Sequence, residues 1–163
     1  KAKLLATKYL LYHYKMNNFP CIILRPYLVY GPFQDFNRFI PLITKGCLTN
    51  LKFPCSKGSQ IRNFLYVDDF VAGVLKCLQS NIVGEIFNIG SGKPVKIKKL
   101  ILKICKIIGH GKPRFGMIKF RKDEIKKLYP SIEKAKKMLG WKPLVNINLG
   151  LKKTIKYYKK IHI

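Results

Sequence analysis

Acidic side chains are scarce in this sequence, which has 7 Asp and Glu against 33 Lys and Arg and a formal net charge of +26 over 163 residues. A basic excess of this size favours nucleic acid or acidic membrane surfaces as partners. The excess is almost entirely lysine, however, and the lysines are spread over many segments without the interleaved aromatic residues of single-strand-binding proteins. We interpret it as a compositional bias and expect no specific nucleic-acid partner. A non-catalytic, basic nucleic-acid-binding module is kept as an alternative function.

Membrane spans, paired cysteines and metal-ligand clusters are also missing. No apolar run approaches the roughly 20 residues that a membrane-spanning helix needs, so we predict no membrane span. The five cysteines are widely spaced without a CxxC pair, and the three histidines, His13, His110 and His162, are scattered. These patterns favour neither a metal site nor a disulfide framework, and they fit a cytoplasmic protein.

Complete glycine-rich nucleotide-binding turns are absent as well. Gly90-Ser91-Gly92-Lys93 is not a phosphate-binding loop, because Phe87 stands where its first glycine is needed and Pro94 where Ser or Thr is needed. Neither this segment nor the one at 109–111 completes GxGxxG. We interpret residues 90–92 as a plain turn between a strand and a loop.

The remaining patterns mix helices and strands without internal repeats, which predicts an α/β fold of about one domain. Lys1 is not Met and falls inside a helical pattern, so we expect a piece of a longer protein. We interpret Asp68 or Asp69 as a helix N-cap rather than as a catalytic carboxylate pair. The predicted helices cover about 1–17, 36–47, 70–79, 97–108, 131–139 and 146–160, and the predicted strands 21–25, 61–67, 85–89 and 115–120.

One apolar stretch, at 22–32, organises the chain. Ile22 to Arg25 read as a buried strand, Pro26 stops it because proline cannot donate to a central ladder, and Gly31-Pro32 turns the chain. In an open α/β sheet, ligands bind at the carboxyl ends of parallel strands. The end of this strand is therefore the expected rim of a site.

Arginine is rare where lysine is abundant, with arginines at positions 25, 38, 62, 114 and 121 only. A retained arginine hints at a need for the planar guanidinium fork that grips phosphate or carboxylate. Arg62 and Arg121 are the candidates for such a site, and an ordinary salt bridge is a comparable interpretation for either one alone.

Four collinear motifs resemble the C-terminal half of an extended short-chain dehydrogenase/reductase, and more narrowly the NAD-dependent sugar-nucleotide epimerase/dehydratase family. They are LRPYLVYGP (24–32), GSQIRNFLYVDD (58–69), GEIFNIGSG (84–92) and SIEKAKKMLGWKP (131–143). The resemblance implies a Rossmann-type α/β fold with a smaller substrate-binding domain. Residues 1–32 would end the NAD-binding domain and 33–163 would bind mainly nucleotide-sugar, with 60–90 returning to the Rossmann sheet.

The resemblance also implies part of a nicotinamide site. Lys3, with Lys1 as the alternative register, matches the lysine of the family's Tyr-x-x-x-Lys pair, and for Lys3 the tyrosine would precede the first residue. Such a lysine holds the cofactor ribose and lowers the tyrosine pKa by its positive charge. Pro26 and Tyr27 match positions that pass beside the nicotinamide of NAD, with NADP as a possible cofactor. We expect no turnover from the chain as given, because the Gly-rich turn and the catalytic Tyr belong upstream.

On the substrate side, Arg62 and Arg121 match two arginines that grip the diphosphate of a nucleotide-diphosphate sugar. Leu28 stands where the family often has Asn, and Lys52–Cys55, with Phe53, fall where relatives seat the base. The implied activity is epimerisation, dehydration or reduction through transient oxidation of the sugar to a keto intermediate. A reductase of another small substrate is the alternative on this fold, and the full-length protein is expected to be a homodimer.

Overall fold

The computed structural model describes residues 1–161, which form six helices and nine short strands. The helices are α1 (Ala2–Asn17), α2 (Phe39–Leu48), α3 (Val67–Leu78), α4 (Ile97–Ile108), α5 (Glu133–Leu139) and α6 (Ile147–Lys160). The strands are β1 (Ile22–Pro26), β2 (Leu28–Tyr30), β3 (Lys52–Cys55), β4 (Ile61–Arg62), β5 (Phe64–Tyr66), β6 (Glu85–Ile89), β7 (Val95–Lys96), β8 (Lys112–Phe115) and β9 (Lys127–Leu128).

The strand pairings are mostly parallel. Strand β1 pairs with β6, β2 with β5 and β3 with β8 in parallel, whereas β4 pairs in parallel with β9 and antiparallel with β7. Parallel neighbours need a crossover between them, and helices supply it here. The predicted α/β fold is therefore confirmed. The parallel pairing of β6 with β1 supports the return of residues 60–90 to the first sheet, and the domain boundaries stay a prediction.

Two buried clusters form the core. One gathers apolar side chains of α2, α4 and α6 around the aromatic side chains of β2 and β5. The other packs β1, β6 and α5 against Trp141, which is 2% exposed. Among the described residues, no helix has both the length and the apolar character to cross a membrane.

Local signals placed several elements accurately. Helix α4 covers the predicted 97–108 and ends at Gly109, whose φ of 99° is the left-handed conformation that glycine adopts without strain. Strand β6 covers the predicted 85–89. Helix α6 follows the predicted 146–160, with Asn146 as its N-cap residue, because the Asn146 side chain accepts the Leu149 N–H at 3.0 Å.

Several predicted element boundaries were wrong, including the starts of α3 and α5, and three of the differences have a visible local cause. Helix α2 begins at Phe39 and not at 36, because Asp35 forms a turn in which its side chain accepts the Asn37 N–H at 2.8 Å. The strand predicted at 61–67 is two strands, since the side chain of buried Asn63 is held to the Ser91 N–H at 2.8 Å between them. The strand predicted at 115–120 lies at 112–115, because the chain turns at Gly116 with a φ of 86°.

The role predicted for the aspartates was also wrong. Helix α3 begins at Val67 with Tyr66 as its N-cap residue, so Asp68 and Asp69 lie within the first turn. Asp68 is exposed and lies 3.6 Å from the Lys153 ammonium. Asp69 is buried, and its carboxylate accepts two backbone N–H groups from the segment that follows Trp141.

Candidate functional site

A cavity of about 850 Å³ lies at the carboxyl end of β1, and we call it the β1 cavity. Five residues that the sequence singled out line it together: Lys3, Pro26, Tyr27, Leu28 and Arg62. The paired strand register brings Asn88 of β6 beside Arg25 at the same edge. The sheet thus brings an exposed lysine of α1 and an arginine of β4 to the end of one strand.

A second cavity, of about 330 Å³, adjoins the first, and we call it the Arg62 cavity. Both cavities are lined by Leu28, Phe39, Arg62 and Phe64. The Arg62 cavity also contains Arg121 and Glu124 from one side, with Pro54 and Cys55 of β3 from another. Both arginines predicted to bind phosphate therefore line a single cavity.

The segment that carries Arg121 and Glu124 is fixed at both ends. It leaves β8 at Phe115 and enters β9 at Lys127, and β9 lies beside β4 with Leu128 opposite Arg62. The Ile61 N–H donates to the Lys126 carbonyl at 2.8 Å, and the Ile118 N–H donates to the Cys55 carbonyl at 3.2 Å. We call residues 116–126 the strap, because it crosses the cavity between two strands.

Arg62 is already engaged within this cavity. Its side chain is 13% exposed, one η nitrogen is ion-paired with Glu124, and the other donates to the Ile61 carbonyl at 2.9 Å. Arg121, in contrast, is exposed and lies in no ion pair within residues 1–161. Two cations and one carboxylate thus converge on the site, which suits a ligand carrying negative charge.

The Cys55 thiol and the Tyr30 phenol, which line the two cavities, stay neutral near pH 7. Burial, and to a smaller extent the nearby Cys105 thiol, raises the pKa of Cys55 to about 11. The pKa of Tyr30 is raised chiefly by burial and then by the charges of Tyr66 and Asp69. A neutral Cys55 thiol adds no repulsion toward an anion, and a neutral Tyr30 phenol is a poor base.

Phe53 and Glu124 differ from the sequence-based picture. The ring of Phe53 faces the helix backbone, where a Cβ built on Gly46 would lie 2.8 Å from it, and it lines neither cavity, unlike Pro54 and Cys55. Glu124 was missed, although an acid three residues after Arg121 in so basic a chain was a usable signal.

Among the described residues no cluster of three or more potential metal ligands occurs, and His162 lies outside them.

The model of the NAD dependent epimerase/dehydratase family matches residues 1–90. The chain belongs to this family. The resemblance stated from the four motifs is therefore confirmed, and the family description carries the dependence on NAD.

Named members of the family are similar along most of the chain. The UDP-glucuronate 4-epimerase of Thermodesulfobacterium geofontis is 33% identical over 143 residues, which are 85% of this chain and 43% of the relative. The dTDP-D-glucose 4,6-dehydratase of Mus musculus is 32% identical over 155 residues, which are 91% of this chain and 43% of the relative. The chain spans less than half the length of these two relatives.

A solved structure shows the same relation in three dimensions. The UDP-glucose 4-epimerase of Thermotoga maritima, determined with UDP-glucose, superposes with a TM-score of 0.91 at 30% identity and covers 98% of this chain and 52% of its own. This likeness confirms the predicted Rossmann-type fold of the family.

Proposed function

We propose that this chain supplies the substrate-binding half of an NAD-dependent enzyme that acts on nucleotide-diphosphate sugars. The observation that carries the proposal is the Arg62 cavity, where two of the five arginines of a lysine-rich chain line the same space. A guanidinium fork makes bidentate, charge-assisted bonds to phosphate that an ammonium does not. A diphosphate offers enough oxygens for both forks.

The nicotinamide end of the cofactor is proposed to lie in the β1 cavity. Its residues fit a nicotinamide nucleotide, because the Lys3 ammonium, Pro26 and Tyr27 line one space at the carboxyl end of a parallel strand. Lys3 would hold the cofactor ribose and, by its charge, lower the pKa of a nearby tyrosine base. NAD, with NADP possible, supplies the hydride acceptor for transient oxidation of the sugar to a keto intermediate.

The nucleotide-diphosphate end of the sugar substrate is proposed to lie in the Arg62 cavity. Arg62 and Arg121 would bind the diphosphate, and Leu28, which lines both cavities, would lie between the diphosphate and the sugar. The base is proposed to rest against β3, which contains Phe53. Pro54 and Cys55 line the cavity there, so the contact with the base would come from the edge of β3 beside the Phe53 ring.

The named relatives include both epimerases and dehydratases, so the reaction that follows sugar oxidation is proposed only as one of this set.

A homodimer of the full-length protein is supported by helix α1. None of the residues of α1 is buried, and the helix exposes Leu4, Leu5 and Tyr9. An exposed apolar helix face of this kind is typical of a protein–protein interface. A cytoplasmic location remains part of the proposal, in keeping with the unpaired cysteines.

Binding of nucleotide sugars tests the function directly. We expect at least one of the UDP-, dTDP-, GDP- and CDP-sugars to bind the protein with an affinity about 100-fold higher than inorganic phosphate, because base and two phosphates add contacts that phosphate lacks. Isothermal titration calorimetry measures each affinity. If no nucleotide sugar binds better than phosphate while random DNA binds with a steep salt dependence, the nucleic-acid alternative is correct instead.

Turnover by the 163-residue polypeptide is a separate prediction. We expect none, because the sequence contains neither GxGxxG nor a tyrosine four residues before a lysine. The measurement is the absorbance of reduced nicotinamide during incubation with NAD and the sugar nucleotide that binds. A rate above that of a Lys3→Ala control would contradict the prediction.

A further inference from the structure

Glu124 is the one carboxylate that lines either cavity in the part of the chain that the structure describes. The chain has only 7 acidic residues, so a carboxylate at the proposed diphosphate site is unexpected from composition. Its partner is Arg62, the less exposed of the two phosphate-binding candidates. A carboxylate at an anion-binding site has one of two effects. It orients the arginine that binds the anion, or it competes with the anion for that arginine.

The contacts of Arg62 favour competition. Its two η nitrogens donate to Glu124 and to the Ile61 carbonyl, so both arms of the fork have acceptors. A phosphate that binds the η nitrogen now paired with Glu124 must replace that carboxylate. The Glu124 carboxylate carries the same sign as the phosphate, and a carboxylate beside a bound diphosphate would repel it.

The Ile61 carbonyl already orients Arg62 without help from Glu124. Strand β4 holds that carbonyl in a ladder with β7 and β9, so the arginine keeps one fixed partner when Glu124 leaves. The strap contains a turn in which the Glu124 N–H donates to the Arg121 carbonyl at 3.1 Å. Glu124 and Arg121 therefore belong to one turn of the strap.

We propose that Glu124 is a specificity-determining residue, which occupies Arg62 in the free protein and lowers the affinity for ligands whose second phosphate must take Arg62 from it. The proposal rests on the proposed function. A single phosphate can bind exposed Arg121 without breaking the ion pair, whereas a second phosphate must take Arg62 from Glu124. The carboxylate thus weakens the binding of diphosphates, leaves that of monophosphates unchanged and narrows the difference in affinity between the two.

The test compares Glu124→Gln with the unchanged chain. Glutamine keeps the size of the side chain and removes its charge, so the bond to Arg62 becomes a neutral-acceptor bond and is easier to replace. We expect UDP and dTDP to bind the variant about tenfold more tightly, and UMP to change by less than about twofold. Calorimetry of the 163-residue chain with each nucleotide gives these affinities without cofactor or turnover.

Glu133→Gln is the matched control, because it also removes one negative charge. Glu133 pairs with Lys136 on α5 and lines neither cavity. We expect Glu133→Gln to bind UDP, dTDP and UMP with the same affinities as the unchanged chain. A general effect of net charge would shift both variants equally and overturn the proposal.

Other outcomes separate this proposal from the function on which it rests. If UDP or dTDP binds the unchanged chain and Glu124→Gln binds it equally or more weakly, Glu124 does not compete, and the function stands while the proposal falls. If UDP or dTDP binds Glu124→Gln but not the unchanged chain, the proposal is supported. If neither protein binds any nucleotide, the function falls and the proposal falls with it.

Discussion

Asp69→Ala is expected to lower the free energy of unfolding by about 3 kcal/mol, because it removes two hydrogen bonds to a buried carboxylate. The two carboxylate oxygens accept the N–H groups of Leu144 and Val145, each at 2.9 Å. The Asp69 carbonyl also accepts the indole N–H of Trp141 at 3.0 Å. Together these bonds hold the turn between α5 and α6 against the start of α3, where negative charge is favoured.

Urea unfolding followed by circular dichroism measures this loss. Asp68→Ala is the control, since Asp68 is the adjacent residue, is exposed and has only one solvent-exposed ion pair, which contributes at most about 1 kcal/mol. We expect Asp69→Asn to lower the free energy of unfolding nearly as much as Asp69→Ala. The amide nitrogen of asparagine is a donor and would face one of the two backbone N–H donors. A loss below about 1 kcal/mol for Asp69→Ala would show that the turn is held by Trp141 alone.

Asp69 illustrates what a local interpretation of the sequence misses. Periodicity and caps act within a few residues, and they predicted the limits of α4 and β6 correctly. An aspartate between a strand and a helix carries the same local signal whether it caps that helix or binds another segment. Its true partners lie 75 and 76 residues away, and only the tertiary structure brings them together.

The candidate site was predictable to a different degree. Lys3, Pro26, Tyr27 and Arg62 were chosen because collinear motifs match a family, and the fold places all four along the β1 cavity. The ion pair between Arg62 and Glu124 could not be predicted in this way, because it joins residues 62 positions apart. Arginine rarity selected Arg62 and Arg121, and the rarity of acids would equally have selected Glu124.

Arg62→Ala is expected to weaken the binding of UDP and dTDP by about 100-fold. The expected loss corresponds to about 2.8 kcal/mol, the range of one or two charge-assisted hydrogen bonds. Removing Arg62 also leaves the Glu124 carboxylate unpaired in the cavity, where it repels the diphosphate. Arg62→Lys keeps the charge but loses the fork, so we expect an intermediate loss of about tenfold.

Two further variants separate a contact at the site from a general loss of positive charge. Arg114→Ala removes the same charge from an exposed position of β8 that lines neither cavity, and its affinities should stay within about twofold of the unchanged chain. Arg62→Ala combined with Glu124→Gln should recover part of the affinity, because the repelling carboxylate is gone. Equal affinities of Arg62→Ala and Arg114→Ala would mean that diphosphate binding does not use the Arg62 fork. Recovery in the double variant would mean that part of the loss in Arg62→Ala comes from repulsion of the diphosphate by the unpaired Glu124 carboxylate.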